Sequence, residues 1–536
     1  MPSPAPLATR TDPLFLLCAL TAVCSLLLGG ATHSGFLGDA VIQLVAIPLL
    51  LLAVFAGKTS WRELGWAETG LCVAVALVPL LQLIPVPFSL WALLPGRETM
   101  LESVSESGGR PGWMPLSAAP ERTMLAALSL IPPLALFLGT RLLDSAGRRR
   151  LVVAVLAISG VSVFLGMAQI ATGTDSPLRF FAVTNTTEAV GFFANRNHFS
   201  ALLYVSLVFA SAWAIDAALA LVGGDNSRRS RVQARFGTAE VVALAAGATL
   251  MFLLATAQIM ARSRAGAGLT LLALFGIGAL MQFDRRNVWR KTSLGLLAAG
   301  TVAVALFSAQ FGVQRFLERD FSFNSESDTR VVVANNVFAI AEKFFPLGAG
   351  VGSFSEIYAM FEQQSQLLIR TFINRAHNDY VEAWLESGVV GGIALLIVFG
   401  WIARRSWQVW LQPDRRCAPI DILLARAATI AIGLLALHSV VDYPLRTSAL
   451  LSVLAISMAL LTRTVSEGQA QPEPEPERLT RLQTATLLPP RNPRGRASQA
   501  FLLEPGARAK TRNDAPAAGE FGAAAGKAGR WRSTDS

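Results

Sequence analysis

Histidine is scarce in this chain, and one of its four copies lies in a stretch whose residue types suit proton transfer. His377 belongs to "RAHNDYVEAWLESG", a polar segment just ahead of an apolar run. A histidine exchanges its proton near neutral pH and can therefore act as a general base. A lone histidine is also commonly a packed structural residue, so both interpretations stand at this point.

The spacing in this segment predicts a helix with one largely aromatic and apolar face. That face is formed at positions i, i+3, i+4 and i+7 by His377, Tyr380, Val381 and Trp384. The polar residues are expected at its sides: Asn378, Asp379, Glu382 and Glu386. The face should point at the rest of the protein, with Asp379 or Tyr380 as a candidate for orienting the imidazole.

Arginines occur where an anion site would need them. "MARSRAGAG" places Arg262 and Arg264 between two apolar runs. "GFFANRNHFSALL" puts four polar residues at the mouth of another run: Asn195, Arg196, Asn197 and His198. An arginine at membrane depth is costly unless it meets an anion or a water-filled cavity. One such residue can snorkel to the interface, but several that converge favour an anion site.

A further arginine, Arg330, lies in "DTRVVVANNVFAIAEKFFPLGAGVGSF". We expect a helix with Asp328 as its N-cap, Arg330 in its first turn and Pro346 beyond its end. The following "GAGVG" lacks the lysine of a phosphate loop and is expected to form a tight turn.

The segment "ALHSVVDYPLRTSAL" contains a second possible dyad. His438 and Asp442 are four residues apart, which is one helical turn. The pair is either an orienting dyad or a structural hydrogen bond, and the structural alternative is slightly favoured.

These residues must be positioned by membrane helices. The chain is 53% hydrophobic and only 15% charged, whereas soluble proteins carry about 25% charged residues. A spanning helix needs ~20 apolar residues. About twelve such runs predict an all-α, polytopic transmembrane helical bundle: 13–30, 38–56, 67–86, 123–141, 151–172, 198–221, 238–260, 265–282, 293–312, 386–402, 419–441 and 446–462.

Basic clusters fall in every second loop, so the net charge of +10 is a topology signal rather than a sign of nucleic-acid binding. Both termini are then cytoplasmic, and the loops near 87–122, 173–197 and 313–385 face outward. The last, between spans nine and ten, is the largest. The four cysteines show no CxxC spacing, and neither a disulfide framework nor a zinc site is indicated.

The ordered motifs resemble the O-antigen ligase family of bacterial membrane glycosyltransferases, which includes O-antigen ligases and the polymerases of O-antigen and exopolysaccharide. The resemblance covers residues 190–446 and rests on "GFFANRNHFSALL", "SRAGAGLTLLAL", "DTRVVVANNVF", "HNDYVEAWLESGVVGG" and "HSVVDYPLR". We therefore expect N-terminal transmembrane helices in 1–150, a catalytic membrane region in 151–462 with its outer loop at 313–385, and a disordered cytoplasmic tail in 463–536.

The resemblance implies a GT-C-like bundle in the bacterial inner membrane with its active site on the periplasmic side. It implies a glycan donor linked to undecaprenyl pyrophosphate, an acceptor that is a glycan or lipid A-core, and no metal or other cofactor. Matched by motif, Arg264 and Arg330 correspond to diphosphate-binding residues and His377 to the catalytic histidine. Tryptophan, which follows the loop arginine in some ligases, is absent from "RVVVANNVF". Ligase and polymerase activities therefore both stay open, as do the sugar and the oligomeric state.

Two other classes remain possible. A transporter or flippase for a lipid-linked sugar would also need basic groups, although ion-coupled carriers usually keep carboxylates inside their spans. An assembly partner in a polysaccharide-export complex would make no demand on Arg264, Arg330 or His377.

Overall fold

The computed structural model describes most of the membrane region. It covers residues 12–32, 37–55, 65–109, 111–222, 233–282, 326–362, 373–414 and 416–462, without the side chains of 222, 233–237 and 326–331. These residues belong to one compact unit, residues 1–470. The predicted tail and the predicted ninth span, 293–312, lie outside the described residues.

Helices account for nearly all regular structure in the described part. In chain order they are α1 (Pro13–Leu28), α2 (Leu37–Phe55), α3 (Trp66–Gln82), α4 (Phe88–Trp91), α5 (Glu98–Glu106), α6 (Pro120–Ser129), α7 (Ile131–Leu142), α8 (Ser145–Ala171), α9 (Arg196–Val222), α10 (Gln233–Ala261), α11 (Arg264–Gln282), α12 (Glu326–Lys343), α13 (Phe354–Phe361), α14 (Asp379–Leu411), α15 (Pro419–His438) and α16 (Ser448–Leu460). A 3₁₀ turn covers Pro444–Arg446, and β1 (Pro85–Pro87) pairs antiparallel with β2 (Trp113–Pro115).

The prediction of an all-α polytopic membrane protein is confirmed at this level. Among the described residues, eight helical segments are long and apolar enough to cross a membrane, with α6 and α7 together forming one of them. Three shorter apolar helices, α1, α3 and α16, complete the set of predicted spans outside 293–312. The total of twelve spans stays a prediction.

Helix α9 lies at the centre of the bundle. It packs against α8, α10, α11 and α15 and is the most buried of the candidate spans in the described part. On another side, α7 packs between α2 and α16. Helices α9, α11 and α14 all begin at the same end of the bundle, where residues at or just before their starts are connected by hydrogen bonds, in part through Asp442. We call this the site end.

The loop helix α12 differs from its predicted start. It already includes Glu326, so Asp328 lies inside the helix rather than at its N-cap, and Arg330 is beyond the first turn. An acidic residue is favourable both as a cap and within the first turn, so residue type alone does not separate the two. The predicted end is correct, because α12 stops at Lys343, three residues before Pro346.

The glycine-rich turn after α12 docks onto a break in α14. Gly388 has φ 52° and ψ −143° inside α14, which kinks the helix where the outer loop was predicted to end and a span to begin. The amides of Ala349 and Gly350 donate to the carbonyls of Leu385 and Glu386 at 2.9 and 2.8 Å. "GAGVG" is therefore a tight turn, as predicted, and these two amides bind protein.

Replacing Gly388 by alanine is expected to destabilise the protein by about 1–3 kcal/mol, because a positive φ strains a side chain-bearing residue. A Cβ there would also lie 2.2 Å from the carbonyl oxygen of Pro346. Thermal unfolding in detergent measures the effect. Gly400→Ala on the same helix is the matched control, since no atom lies within 4 Å of its added Cβ. Equal unfolding temperatures for the two variants would contradict the prediction.

Candidate active site

A fully buried carboxylate, Asp442, lies at the centre of the site end. Its Oδ1 is 3.2 Å from Nδ1 of His377, and its Oδ2 accepts from Nδ2 of Asn197 at 2.5 Å. Oδ1 of Asn197 in turn accepts from Oγ of Ser263 at 2.8 Å. A continuous chain of hydrogen bonds thus joins His377 to the residue just before Arg264.

The charge on Asp442 favours a tautomer of His377 in which Nδ1 carries a proton. Burial by itself would raise the pKa of Asp442, but the hydrogen bond from His377 and the nearby histidines outweigh it and hold that pKa well below its usual range. An ionised carboxylate only accepts hydrogen bonds. The contact with Asp442 is satisfied when Nδ1 of His377 carries a proton, and in a neutral imidazole with that tautomer the lone pair on Nε2 can accept another proton.

Three of the four histidines meet around Asp442 and Tyr443. His198 and His438 are fully buried, while the side chain of His377 is 26% exposed. The Tyr443 ring lies edge-on to two of these histidines, 4.9 Å from the His198 ring and 5.1 Å from the His377 ring. His438 Nδ1 pairs with the Tyr204 hydroxyl at 2.9 Å. Of these three histidines, only His377 is open to a reactant from outside.

The backbone of His377 differs from the prediction. His377 precedes α14 and has a left-handed φ of 53°, so it does not share a helical face with Tyr380, Val381 and Trp384. Asn378 is the N-cap: its side chain accepts from the amides of Tyr380 and Val381 at 3.0 and 3.1 Å. The prediction was wrong because the helical spacing was counted from His377 across Asn378, and asparagine commonly begins a helix as its N-cap.

The acidic residues of α14 are buried rather than placed at the sides. Asp379, Glu382 and Glu386 are at most 8% exposed. Arg446 is 3.5 Å from both Asp379 and Glu382 and 2.7 Å from Glu386. Buried charges need such partners, and Arg446 supplies one from the loop that carries Asp442.

The segment before His377 is held by Glu382. One carboxylate oxygen accepts from Arg375 Nη1 at 2.8 Å and the other from the Ala376 amide at 2.9 Å. Both residues that precede His377 are therefore fixed to α14. A left-handed histidine is uncommon and persists where surrounding contacts determine it.

The sequence predicted that Asp379 or Tyr380 orients His377. In the structure the group in contact with its imidazole is Asp442. Asp379 accepts from Ser439 Oγ at 2.7 Å, and the Tyr380 hydroxyl donates to the Ala436 carbonyl at 2.8 Å. The expected pair of His438 and Asp442 is joined through the backbone, where the Asp442 amide donates to the His438 carbonyl at 2.9 Å. Both His377 and Asp442 were singled out in the sequence, but each was paired within its own segment, whereas in the structure they pair with each other.

Two helix N-termini carry the predicted arginines. Ser263 caps α11 by accepting from the Gly266 amide at 3.0 Å, and Arg264 is its exposed first residue. Arg262 is also exposed and left-handed, with φ 51°. At the start of α9, Asn195 accepts from the Asn197 amide at 2.8 Å. Helix N-termini carry partial positive charge, so this end attracts anions.

The remaining predicted arginines differ in how they are used. Arg196 forms an ion pair with Glu188 at 2.5 Å. Arg330 lies on α12, but its side chain is outside the described part, so its role stays a prediction. No group of three or more His, Cys, Asp or Glu able to hold a metal ion is found among the residues that the structure describes.

Sequence reasoning missed several residues that build the site. Arg375, Tyr443 and Arg446 were not singled out, although the last two follow Asp442 within "DYPLR". A usable signal was the i, i+3, i+7 spacing of Asp379, Glu382 and Glu386, which puts three acids on one helical face and calls for a basic partner.

The structure combines a bundle of membrane-length helices with a histidine that is oriented by a carboxylate at one end. These features define an integral membrane protein with a candidate site for proton transfer beside an anion. Residues 249–410 match the family model described as O-Antigen ligase. The resemblance inferred from the sequence is thereby confirmed for this part of the chain, which is similar to the O-antigen ligase domain.

A curated relative is the probable peptidoglycan glycosyltransferase FtsW of Alkalilimnicola ehrlichii, which is 26% identical over 190 residues. The match covers 34% of this chain and 43% of the relative, so this chain matches less than half of that protein's length.

Proposed function

We propose that this protein is an inverting membrane glycosyltransferase that moves a glycan from undecaprenyl pyrophosphate to an acceptor hydroxyl, as an O-antigen ligase or a surface-polysaccharide polymerase. The observation that carries the proposal is the pair of His377 and ionised Asp442 at the meeting point of three helix starts. The family match and the likeness to a probable glycosyltransferase support it.

His377 serves as the general base in this proposal. Its Nε2 takes the proton of the acceptor hydroxyl while that oxygen forms a bond to C1 of the donor sugar. The bond between C1 and the diphosphate oxygen breaks on the opposite face, which inverts the anomeric centre. Asp442 stabilises the imidazolium that results, and the proton later leaves with the pyrophosphate or to water.

The leaving diphosphate gains negative charge as that bond breaks. Arginine forks bind phosphate oxygens through two hydrogen bonds, and their attraction increases as charge develops. Arg264 and Arg330 are assigned this role, with the amide end of α11 adding its partial positive charge. These groups take the part that a divalent cation plays in other transferases, and the reaction we propose is metal-independent.

The proposed orientation puts the site end at the periplasmic face of the bacterial inner membrane. Arg148 and Arg405 lie at the opposite end, where they line one pocket together with Thr462. Basic residues are enriched on the cytoplasmic side of membrane proteins. Both termini are then cytoplasmic, and a GT-C-like arrangement of the bundle is part of the same proposal.

Replacing Arg264 by alanine tests the diphosphate assignment. We expect glycan transfer to fall by about 10²–10³-fold, the usual cost of removing a donor that stabilises a transition-state oxyanion. Arg264→Lys should lose less activity, because lysine keeps the positive charge but lacks the two-pronged guanidinium. The assay is in vitro transfer from a polyprenyl-diphosphate glycan, with gel analysis of the product. Arg150→Ala, an exposed arginine on α8, is the control.

The proposal fails if alanine at Arg264, Arg330 and His377 each leaves transfer unchanged at equal membrane abundance. That outcome would contradict the roles assigned to these three residues, whereas a wild-type protein that shows no transfer in this assay would favour a transporter or flippase. In a deletion strain, lipopolysaccharide capped with one repeat unit indicates a lost polymerase, and the loss of all capping a lost ligase. Loss of unlinked exopolysaccharide alone indicates an exopolysaccharide polymerase.

A further inference from the structure

The segment after α3 combines apolar composition with loop structure. Residues 69–96 contain no Asp, Glu, Lys or Arg, yet α3 ends at Gln82. At 1.5 Å per residue, its 17 residues extend ~26 Å, close to the thickness of the hydrocarbon core. The uncharged stretch therefore continues beyond the helix, at the depth where the hydrocarbon core ends.

This continuation forms a small, well-defined knob at the site end. β1 follows α3 directly, pairs with β2 so that Pro87 lies opposite Trp113, and leads into α4. The Phe88 amide donates to the Gly112 carbonyl at 3.1 Å. Four large apolar residues of this region are exposed, and we call them the interface knob: Ile84, Leu90, Leu93 and Trp113.

The polarity of this region is inverted relative to a loop in water. Leu93 is 80% exposed and Trp113 65% exposed, whereas Arg97 is 2% exposed. The Arg97 guanidinium lies 5.0 Å from the Trp91 ring and 5.8 Å from the Phe344 ring, and it donates to the Leu116 carbonyl. A water-facing loop would expose the arginine and bury the leucine.

The apolar surface is continuous with the exposed apolar side of α3. Val73, Leu77 and Leu80 are exposed along α3, and Ile84 follows them within one turn beyond its end. Tryptophan is enriched where the hydrocarbon meets the headgroups. The surroundings that suit both the knob and its position are lipid.

We propose that the interface knob inserts into the headgroup and acyl boundary of the bilayer leaflet at the site end and anchors the loop helices to it. Arg97 and Phe344 connect the knob to α12, and the Ala118 amide donates to the Ala349 carbonyl at 2.7 Å. The anchor thus sets the depth of α12 relative to the lipid surface. This assignment stands whether or not the protein transfers glycans.

Spin labelling of the full chain in nanodiscs of phosphatidylcholine and phosphatidylglycerol tests the anchor. After replacement of the four native cysteines, Leu93→Cys and Trp113→Cys carry a nitroxide, with Ser107→Cys, exposed just after α5, as the control. We expect the ratio of collisions with oxygen to collisions with a water-soluble nickel chelate to be several-fold higher at 93 and 113 than at 107.

Two results would overturn the proposal. Ratios at 93 and 113 equal to that at 107 would show that the knob faces water, and protection from both reagents would show that protein covers it. If the cysteine-free chain does not fold, a photo-crosslinking benzoyl-phenylalanine at position 93 of the native chain replaces the label. Crosslinks to phospholipid then support the anchor, and crosslinks to polypeptide alone contradict it.

Discussion

Replacing His377 by asparagine is expected to reduce glycan transfer by about 10²–10⁴-fold, the range that a positioned general base contributes. Asparagine suits this test because it tolerates the left-handed backbone that His377 adopts, with φ 53°. The substitution thus removes Nε2 without forcing a backbone change before α14. Transfer is measured per folded protein, with the donor saturating, so that the loss is assigned to kcat.

The matched control for this variant is Tyr380→Phe. It removes a partly buried hydroxyl from the same segment, the one that donates to the Ala436 carbonyl. We expect a loss of stability of about 1 kcal/mol with transfer retained. If His377→Asn retains transfer within a few-fold of the wild type, the histidine is a packing residue and the proposed base is wrong.

Replacing Asp442 by asparagine is expected to lower transfer by about 10²–10⁴-fold, because an aspartate that orients a catalytic histidine also stabilises its imidazolium. Both carboxylate oxygens accept hydrogen bonds, one from His377 and one from Asn197. An asparagine offers one acceptor and one donor, so one contact becomes donor against donor. The buried mismatch should cost about 1–3 kcal/mol of stability as well.

The stability effect of Asp442→Asn should depend on pH with a definite sign. The pKa of Asp442 in the folded protein lies below that of an unperturbed aspartate, about 3.9. Its charge therefore stabilises the fold above that value, and this stabilisation is lost as the pH falls below it. The difference in unfolding temperature between wild type and variant should be largest near neutral pH and shrink in acid.

Asp175→Asn, an exposed residue in the loop after α8, controls for the loss of one negative charge. It should leave both transfer and unfolding temperature close to wild type. An Asp442→Asn protein that unfolds like wild type at all pH values would show that the carboxylate is not held ionised in the fold.

The sequence was sufficient to predict the helices and the residue types of the site, because both depend on local composition. Apolar runs of membrane length predicted α9 and α15 within three residues of their bounds. The sequence singled out three residues for local reasons: His377 for its residue type, Asn197 for its place at the mouth of an apolar run, and Asp442 for its spacing from His438.

The pairing of these residues was not predictable, since it depends on which helix ends meet in space. Asp442 bonds Asn197, 245 residues earlier in the chain, and no local spacing reports such a contact. The buried acids of α14 were misplaced for the same reason: Arg446, which compensates them, comes from another segment. Helical periodicity shows which residues share a face, but not what that face meets.

The hydrogen-bond chain from Ser263 through Asn197 and Asp442 to His377 has a consequence for biosynthesis. Its members come from four separate segments, and Asp442 enters the membrane region after all the others. While α9 and α11 are inserted but α15 is still being synthesised, the amide of Asn197 has no carboxylate to bind. The hydrogen-bond chain therefore stays incomplete in a nascent protein until α15 and the turn that carries Asp442 have been synthesised, and a protein truncated before Asp442 would lack the carboxylate that joins Asn197 to His377.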